Sequence, residues 1–393
     1  MSKLFVFTEN YVRGGGNSYL IDLINSVSVK YKELLIFSNK NGLFDTDLAR
    51  LKCSFILESL FFITSSSLLN KIKSKNTYLL NSLKFLFLLI DPILLLINTM
   101  LFISILRKIH PSKVLSCNGG YPASRACLAM VFAAKLLGIP IILSIVSVPA
   151  KRRVFMSYYE KIIDRLVWTC VSKVIVNAKY IVIELQKLRD MPSEKAHIVH
   201  NALNDIEYSN KFNKLKVSGK FLIGYVSRIE KPKGVFYLLN AFSILLTKHP
   251  QLELVFYGAG SELEALTLRV RQLGIENSVN IAGHFYGDVS SILSNFDVYA
   301  FPSLWEGLPY SILEAMRSSC AIVSTNVGGI PEAINDEEDA ILVEPGSTEA
   351  LVLALGRLIN NQELRTRISA SARMKFMKNF TLDKMAFEAS KIL

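Results

Sequence analysis

Two glutamates with seven residues between them, Glu306 and Glu314, lie in Pro302-Ser303-Leu304-Trp305-Glu306-Gly307-Leu308-Pro309-Tyr310-Ser311-Ile312-Leu313-Glu314-Ala315-Met316. The short apolar run Val298-Tyr299-Ala300-Phe301 before them reads as a buried strand. Gly307 and Pro309 suit a tight turn that places proline at the first helical position. The helix that follows aims its free backbone N–H groups beyond the strand end, which makes an anion site. Glu306 then stands at the mouth of that site. Glu314, about five residues into the helix, lies deeper, where a carboxylate can grip vicinal hydroxyls. A phosphate cradle flanked by two such carboxylates suits a sugar nucleotide.

Other segments carry compatible chemistry. Gly224-Tyr225-Val226-Ser227-Arg228-Ile229-Glu230-Lys231-Pro232-Lys233-Gly234 ends a strand at Val226 and delivers Arg228, then Lys233. Arginine offers planar bidentate hydrogen bonding and lysine a point charge, a combination suited to a diphosphate. Gly14-Gly15-Gly16 follows the first strand and precedes a helix. Glycines there let backbone approach a phosphate, although the spacing is not G-x-G-x-x-G. Tyr257-Gly258-Ala259-Gly260-Ser261 and Gly328-Gly329-Ile330-Pro331-Glu332 are further turns after strands. Asp45-Thr46-Asp47 has the D-x-D form but no strand delivers it, so it reads as a polar loop. No His/Cys/Asp cluster has metal-ligand spacing, and no G-x-S-x-G nucleophile turn occurs.

These residues need strand ends to carry them. Candidate strands are Leu4–Phe7, Leu34–Phe37, Ser54–Leu57, Lys113–Ser116, Ile139–Ile145 and Lys173–Val176 in the first half. In the second half they are Phe221–Val226, Leu252–Tyr257, Val279–Ala282, Val298–Phe301 and Ala321–Ser324. Helical stretches lie between them, the alternation of an α/β chain with doubly wound parallel sheets. The strand count restarts after the polar stretch Asn201–Gly219, which predicts two Rossmann-like domains facing across a cleft. The expected boundaries are residues 1–205, residues 206–375, and a C-terminal helix, 376–393, packing back on the first domain.

A chain of 393 residues, 51% hydrophobic, has material for two cores. Its charge of +12 is uneven: residues 1–200 hold 26 Lys+Arg and 12 Asp+Glu, a net +14, and the remainder carries −2. The basic half implies an anionic partner. Five cysteines without C-x-x-C pairing suit a reducing compartment. The opening residues are too short an apolar run for a signal peptide. The longest apolar tract, Phe85 to Leu106, is flanked by Lys71, Lys73, Lys75 and Lys84 and by Arg107 and Lys108. It is long enough to span a bilayer, for which about 20 residues are needed. Asp91, Pro92 and Asn98 interrupt it, however, and strands on both sides of it belong to one expected sheet. The reading is therefore a helix partly packed on the sheet and partly dipping into lipid. Lys151-Arg152-Arg153 with Tyr158, Tyr159, Lys161 and Arg165 reads as a basic and aromatic rim for anionic headgroups.

Taken together, these motifs resemble the family 4 retaining, nucleotide-sugar-dependent glycosyltransferases, of the bacterial surface-polysaccharide type and the GT-B fold. The resemblance runs through Gly14–Gly16, Asn201-Ala202-Leu203, Arg228 with Lys233, Gly258–Gly260, Glu306 to Glu314 and Gly328–Glu332. It implies that Arg228 and Lys233 stabilise the departing diphosphate and that Glu306 lies near the transferred sugar. Glu314 would hold the ribose, with the backbone amides of Gly307 and Leu308 assisting. Gly15, Gly16 and Gly258 would line the donor site, and His284 in Gly283-His284-Phe285 would lie near the base. One departure matters: many relatives carry a histidine after the strand that here reads Ile141-Ile142-Leu143-Ser144-Ile145-Val146-Ser147-Val148. Its hydrogen bond is absent here, or is supplied by Ser144, Ser147 or a backbone group.

The expected activity is retaining transfer of a sugar from a UDP- or GDP-linked donor to a lipid-linked oligosaccharide acceptor. It would need no metal or other cofactor and would serve surface polysaccharide, such as lipopolysaccharide. The expected location is cytoplasmic, peripheral to the inner face of the cell membrane through an anionic surface. A sugar-nucleotide epimerase on this fold would need a further acid/base pair. A nucleic-acid partner is not expected, because aromatic residues are not interleaved with the basic ones as stacking platforms. A non-catalytic scaffold would not need Arg228, Lys233, Glu306 and Glu314 together.

Overall fold

The computed structural model describes residues 2–9, 14–39, 47–60, 62–64, 77–122, 124–205 and 219–393, and only the backbone of 77–85, 88 and 118. The chain forms two compact units. One comprises Met1–His200 with Met385–Leu393, and the other Asn201–Lys384. The division thus falls at His200, before the polar stretch. The chain returns to the first unit at Met385, later than the expected 376, because the preceding helix continues to Asn379.

The first unit holds β1 (Lys3–Thr8), β2 (Glu33–Asn39), β3 (Ile56–Leu60), β4 (Lys113–Gly120), β5 (Ile141–Ser147), β6 (Lys173–Val176) and β7 (Ala196–Ile198). Its helices are α1 (Gly15–Val27), α2 (Thr77–Ile109), α3 (Arg125–Leu136), α4 (Ser157–Cys170) and α5 (Lys179–Arg189). The strands order β3-β2-β1-β4-β5-β6-β7, every pairing parallel. The second unit holds β8 (Phe221–Val226), β9 (Leu252–Tyr257), β10 (Val279–Gly283), β11 (Val298–Phe301), β12 (Ala321–Thr325) and β13 (Ile341–Val343). Its helices are α6 (Val235–Leu246), α7 (Leu263–Gln272), α8 (Ser290–Leu293), α9 (Tyr310–Arg317), α10 (Ile330–Ala333), α11 (Thr348–Asn360) and α12 (Gln362–Asn379). Helix α13 (Leu382–Ser390) carries the chain back to the first unit. The second sheet, β10-β9-β8-β11-β12-β13, is also wholly parallel.

Central strands such as β1, β11 and β12 are buried along almost their whole length, because helices cover both faces of a parallel sheet. Their continuous apolar runs are what made them legible. The two strands that the sequence reading omits, β7 and β13, are three-residue edges too short to show a pattern. Strand β3 begins at Ile56 rather than Ser54. In the first core Phe5 stacks on Phe37 with centroids 4.5 Å apart, and Phe102 of α2 meets Phe7 edge-on at 4.9 Å.

Helix α2 runs unbroken through Pro92 for 33 residues. Strands on either side of it, β3 and β4, join the same sheet, so the chain does not cross from one side of a bilayer to the other along α2. The inward face of α2 packs on α3 and buries Asp91, Leu95, Asn98, Phe102 and Leu106. Asp91 pairs with Arg125 at 3.1 Å and accepts a hydrogen bond from the Tyr159 hydroxyl.

Within the basic rim, Arg152 and Arg153 are taken up by ion pairs, which leaves Lys151, Lys161 and Arg165 facing solvent. Arg152 pairs with Asp164 at 2.8 Å and with Asp190 at 3.1 Å, and Arg153 with Glu160 at 2.6 Å. Beneath them Arg189, 1% exposed, donates to Glu160 at 2.8 Å and to the carbonyls of Ala150 and Lys151. Tyr121, stacked on Trp168, donates to Asp164.

Replacing Glu160 with Gln would take the nearer of two counter-charges from buried Arg189, leaving Asp164 at 3.5 Å, which Arg152 shares. Urea denaturation near pH 7 should show a loss of about 3–5 kcal/mol. Burial alone would raise the Glu160 pKa, but Arg153 and Arg189 outweigh it and hold the carboxyl below its ordinary value. A lowered carboxylate stabilises the fold above its unfolded pKa, about 4.3. That stability is lost as pH falls through the native value. The gap between wild type and Glu160→Gln should therefore close as pH drops below about 4. A gap independent of pH would assign the effect to packing instead.

Candidate functional site

In a doubly wound sheet, ligands bind beyond the carboxyl ends of strands where the strand order reverses. In the second unit that point lies between β8 and β11, and the loops leaving those two strands carry Lys233 and Glu306. Backbone hydrogen bonds stitch these loops together. Leu304 N–H donates to Pro232 O at 2.8 Å, Ile229 N–H to Ala259 O at 2.9 Å, and Gly329 N–H to Gly307 O at 2.8 Å. Gly234 (φ +70°) and Gly328 (φ +59°) adopt left-handed backbone, and a Cβ on either would stand 1.9 Å from the carbonyl oxygen of Pro302 or Glu306. Only glycine meets both demands.

Across this junction Lys233 Nζ pairs with Glu306 Oε1 at 2.5 Å, both side chains being nearly buried. The ammonium also lies over the Phe301 ring, 5.7 Å from its centroid. One donor of the ammonium goes to Glu306, and an ammonium has three. Burial pushes the Tyr225 and Tyr299 hydroxyls well above the ordinary range, so both are neutral donors. Tyr225 donates to Arg228 O at 2.7 Å and Tyr299 to Val226 O at 3.2 Å, which pins the loop from beneath.

The other residues singled out from the sequence vary in placement. Arg228 lies on the same loop as Lys233, but its side chain is 58% exposed and paired with Glu230 at 2.9 Å. Glu314 is the fifth residue of α9 and half-buried. Pro309 is the N-cap of α9 rather than its first residue, so the helix opens at Tyr310. The first N–H groups of α9 have no partner within the helix. Leu308 is buried, and its carbonyl accepts from the Asn201 side chain.

Gly258 has a packing role that its glycine-rich turn did not announce. Its N–H donates to Gly283 O at 2.7 Å, and a Cβ there would stand 1.9 Å from Ser227 O. The glycine serves close loop packing, and its amide is already spent. His284 is exposed beyond β10, the edge strand, and meets Tyr286 edge-on at 4.6 Å.

In the first unit Gly15 and Gly16 open α1, with Gly14 as its N-cap. A Cβ on Gly16 would meet Val146 at an ordinary 3.5 Å, so that position has no steric need for glycine. Ser144 is fully buried within β5, which removes it as a stand-in for the histidine, whereas Ser147 ends that strand half-buried. Of the D-x-D, Asp45 and Thr46 lie outside the described residues, and Asp47 accepts from Asn17 at 3.1 Å. Among the described residues no group of three His, Cys, Asp or Glu side chains could hold a metal ion. The sequence reading missed Glu9, just beyond β1 at the reversal point of the first sheet. Its two oxygens accept from Thr64 and Ser124, each at 2.6 Å. Its partners lie 55 and 115 residues away, so no local spacing announces it.

Two parallel sheets with flanking helices, each with its own order reversal, define the two-domain GT-B class. Residues 207–375, within the second unit, match the family described as glycosyl transferases group 1. An uncharacterized glycosyltransferase of Haemophilus influenzae is 32% identical over 191 residues, 48% of this chain and 53% of that protein. A Campylobacter jejuni enzyme is 26% identical over 241 residues, 61% of this chain and 64% of that protein. Its name is N-acetylgalactosamine-N,N'-diacetylbacillosaminyl-diphospho-undecaprenol 4-alpha-N-acetylgalactosaminyltransferase. The chain thus spans about half to two thirds of the length of these curated relatives. Anabaena HepE, solved with UDP, shares the fold over 100% of this chain and 99% of its own, with TM-score 0.75 and 17% identity.

The loop packing is testable against a glycine that has the same backbone but open space. Gly274 (φ +65°) has nothing within 4 Å of an added Cβ. Gly274→Ala should cost only the left-handed strain, about 1–2 kcal/mol. Gly234→Ala adds the clash with Pro302 and should lose clearly more in urea denaturation. Equal losses would show that the β8 and β11 loops give way freely.

Proposed function

We propose that this protein is a family 4 retaining glycosyltransferase. It would move a sugar from a nucleoside diphosphate donor to a lipid-linked acceptor in surface-polysaccharide synthesis. The observation that carries the reading is the Lys233–Glu306 pair at the reversal point of a glycosyl transferases group 1 domain. The UDP-bound Anabaena neighbour supports a nucleotide donor, and the diphospho-undecaprenol named for the Campylobacter relative supports a lipid-linked acceptor.

A glycosyl diphosphate ionises when its leaving group is stabilised. Lys233 would supply a charge already oriented by Glu306, so little reorganisation accompanies bond cleavage. Arg228 would turn from Glu230 to the diphosphate, exchanging a solvent-exposed pair for a bidentate one. Amides at the start of α9 would meet the same oxygens. Glu314 would accept from the ribose hydroxyls, a contact made equally before and during reaction. The charge stabilisers are side chains and helix amides, which is the basis for proposing that no metal ion is required.

Calorimetry with UDP and GDP, with and without divalent metal, should detect binding by the full chain. Failure of both nucleotides under both conditions would remove the proposal. Lys233→Ala should lower kcat by about two orders of magnitude, since loss of one preorganised charge stabiliser costs about 2.7–4 kcal/mol. Glu314→Ala should chiefly raise KM, because its contact is uniform. A near-normal kcat in Lys233→Ala that still binds nucleotide would take the leaving-group role from Lys233.

A further inference from the structure

Helix α2 is apolar on nearly every face, yet among its described side chains only one face is covered. Leu89, Ile93, Leu96, Ile97 and Met100 are each about half exposed, and they recur at helical spacing as one outward stripe. Helix α4 carries a second stripe, Tyr158, Ile162 and Leu166, and Phe155 stands 94% exposed in the turn before it. The inward sides of the two helices meet. Tyr159 of α4 donates to Asp91 of α2, and Arg125 pairs with Asp91 while lying over the Tyr159 ring. These shared partners bring the two helices together at Asp91 and Tyr159, and each helix turns its own apolar stripe to solvent.

Charge is sorted between the same two sides. Every acidic residue of α2 and α4 (Asp91, Glu160 and Asp164) is buried and ion-paired inward. Arg107, Lys108, Lys161 and Arg165 face solvent, as does Lys151 in the loop before α4. The exposed face is thus apolar, rimmed by cations, and free of outward acids on either helix. Against a second copy of itself this face would set like charges together, which is unfavourable. Against an anionic bilayer the apolar stripes enter the interface and the cations lie at phosphate level.

We propose that the α2–α4 face is a docking surface for an anionic lipid bilayer, bound in the interface and not spanning it. The inward face of α2 stays committed to α3 and to the Asp91–Arg125 pair, and β3 and β4 remain in one sheet. Headgroup attraction should weaken with salt, because charges are screened over roughly 8–10 Å. The apolar contribution should survive.

The full chain should co-sediment with phosphatidylglycerol-containing vesicles at low salt, less so at high salt, and poorly with pure phosphatidylcholine. The informative substitutions are at outward positions. Leu95 is 6% exposed, so changing it would test packing instead. Ile93→Ser with Ile97→Ser, and separately Phe155→Ser, should each lower vesicle binding about tenfold or more, since the apolar area inserted sets the affinity. Cooperative melting should be retained, because these side chains contribute little to the core. Lys161→Glu with Arg165→Glu should weaken binding and flatten its salt dependence. Three results would each overturn the proposal. They are no binding to anionic vesicles at low salt, unchanged binding in the folded Ile93/Ile97 variant, or a dimer in vesicle-free buffer that the same substitutions dissolve.

Discussion

A buried ion pair between residues 73 positions apart, Lys233 and Glu306, is the contact on which the second unit's site depends. Taking two charges out of water is costly, and such a pair persists only where geometry and further partners compensate. Here the compensation is built from backbone. The β11 loop donates hydrogen bonds to the β8 loop, Gly234 lets those two loops touch, Gly328 lets the β12 loop close on Glu306, and Phe301 lies under the ammonium. The strands themselves bring the loops together, since β8 and β11 are neighbours where the sheet reverses its order.

That arrangement bears on catalysis by the proposed route. A lysine already charged and held needs no reorganisation when a diphosphate departs, and preorganisation of this kind is the larger part of electrostatic catalysis. Neutral tyrosines beneath the site contribute rigidity rather than charge, because burial keeps their protons on. Arg228 differs from Lys233 in being exposed and paired only within its own loop. The two cations therefore differ in setting, one nearly buried and one exposed.

The first unit applies the same physics to a different end. Its buried acids and arginines neutralise one another beneath α4, while α2 and α4 turn their apolar stripes outward. An internal polar network tying helices together frees the outer surface to be apolar. A helix apolar all round can face the core on one side and an interface on the other.

Much of this was legible in the chain itself. Central strands announced themselves as continuous apolar runs, since strands covered on both faces have no polar alternation to obscure them. The loops bearing Arg228, Lys233, Glu306 and Glu314 were legible as strand-to-helix turns, because glycine, proline and charge cluster there locally. What depends on residues far apart was not. The Lys233–Glu306 pair, the pairing of Arg152 with Asp164, and the anchoring of Glu9 by Thr64 and Ser124 join segments that no spacing rule connects. Gly258 was expected to line the donor site, and only the approach of Ser227 and Gly283 showed its packing role. Nor could a uniformly apolar sequence say which side of α2 would be covered. That was decided when Asp91 found Arg125, for a buried carboxylate must face its counter-charge and so fixes the rotation of its helix.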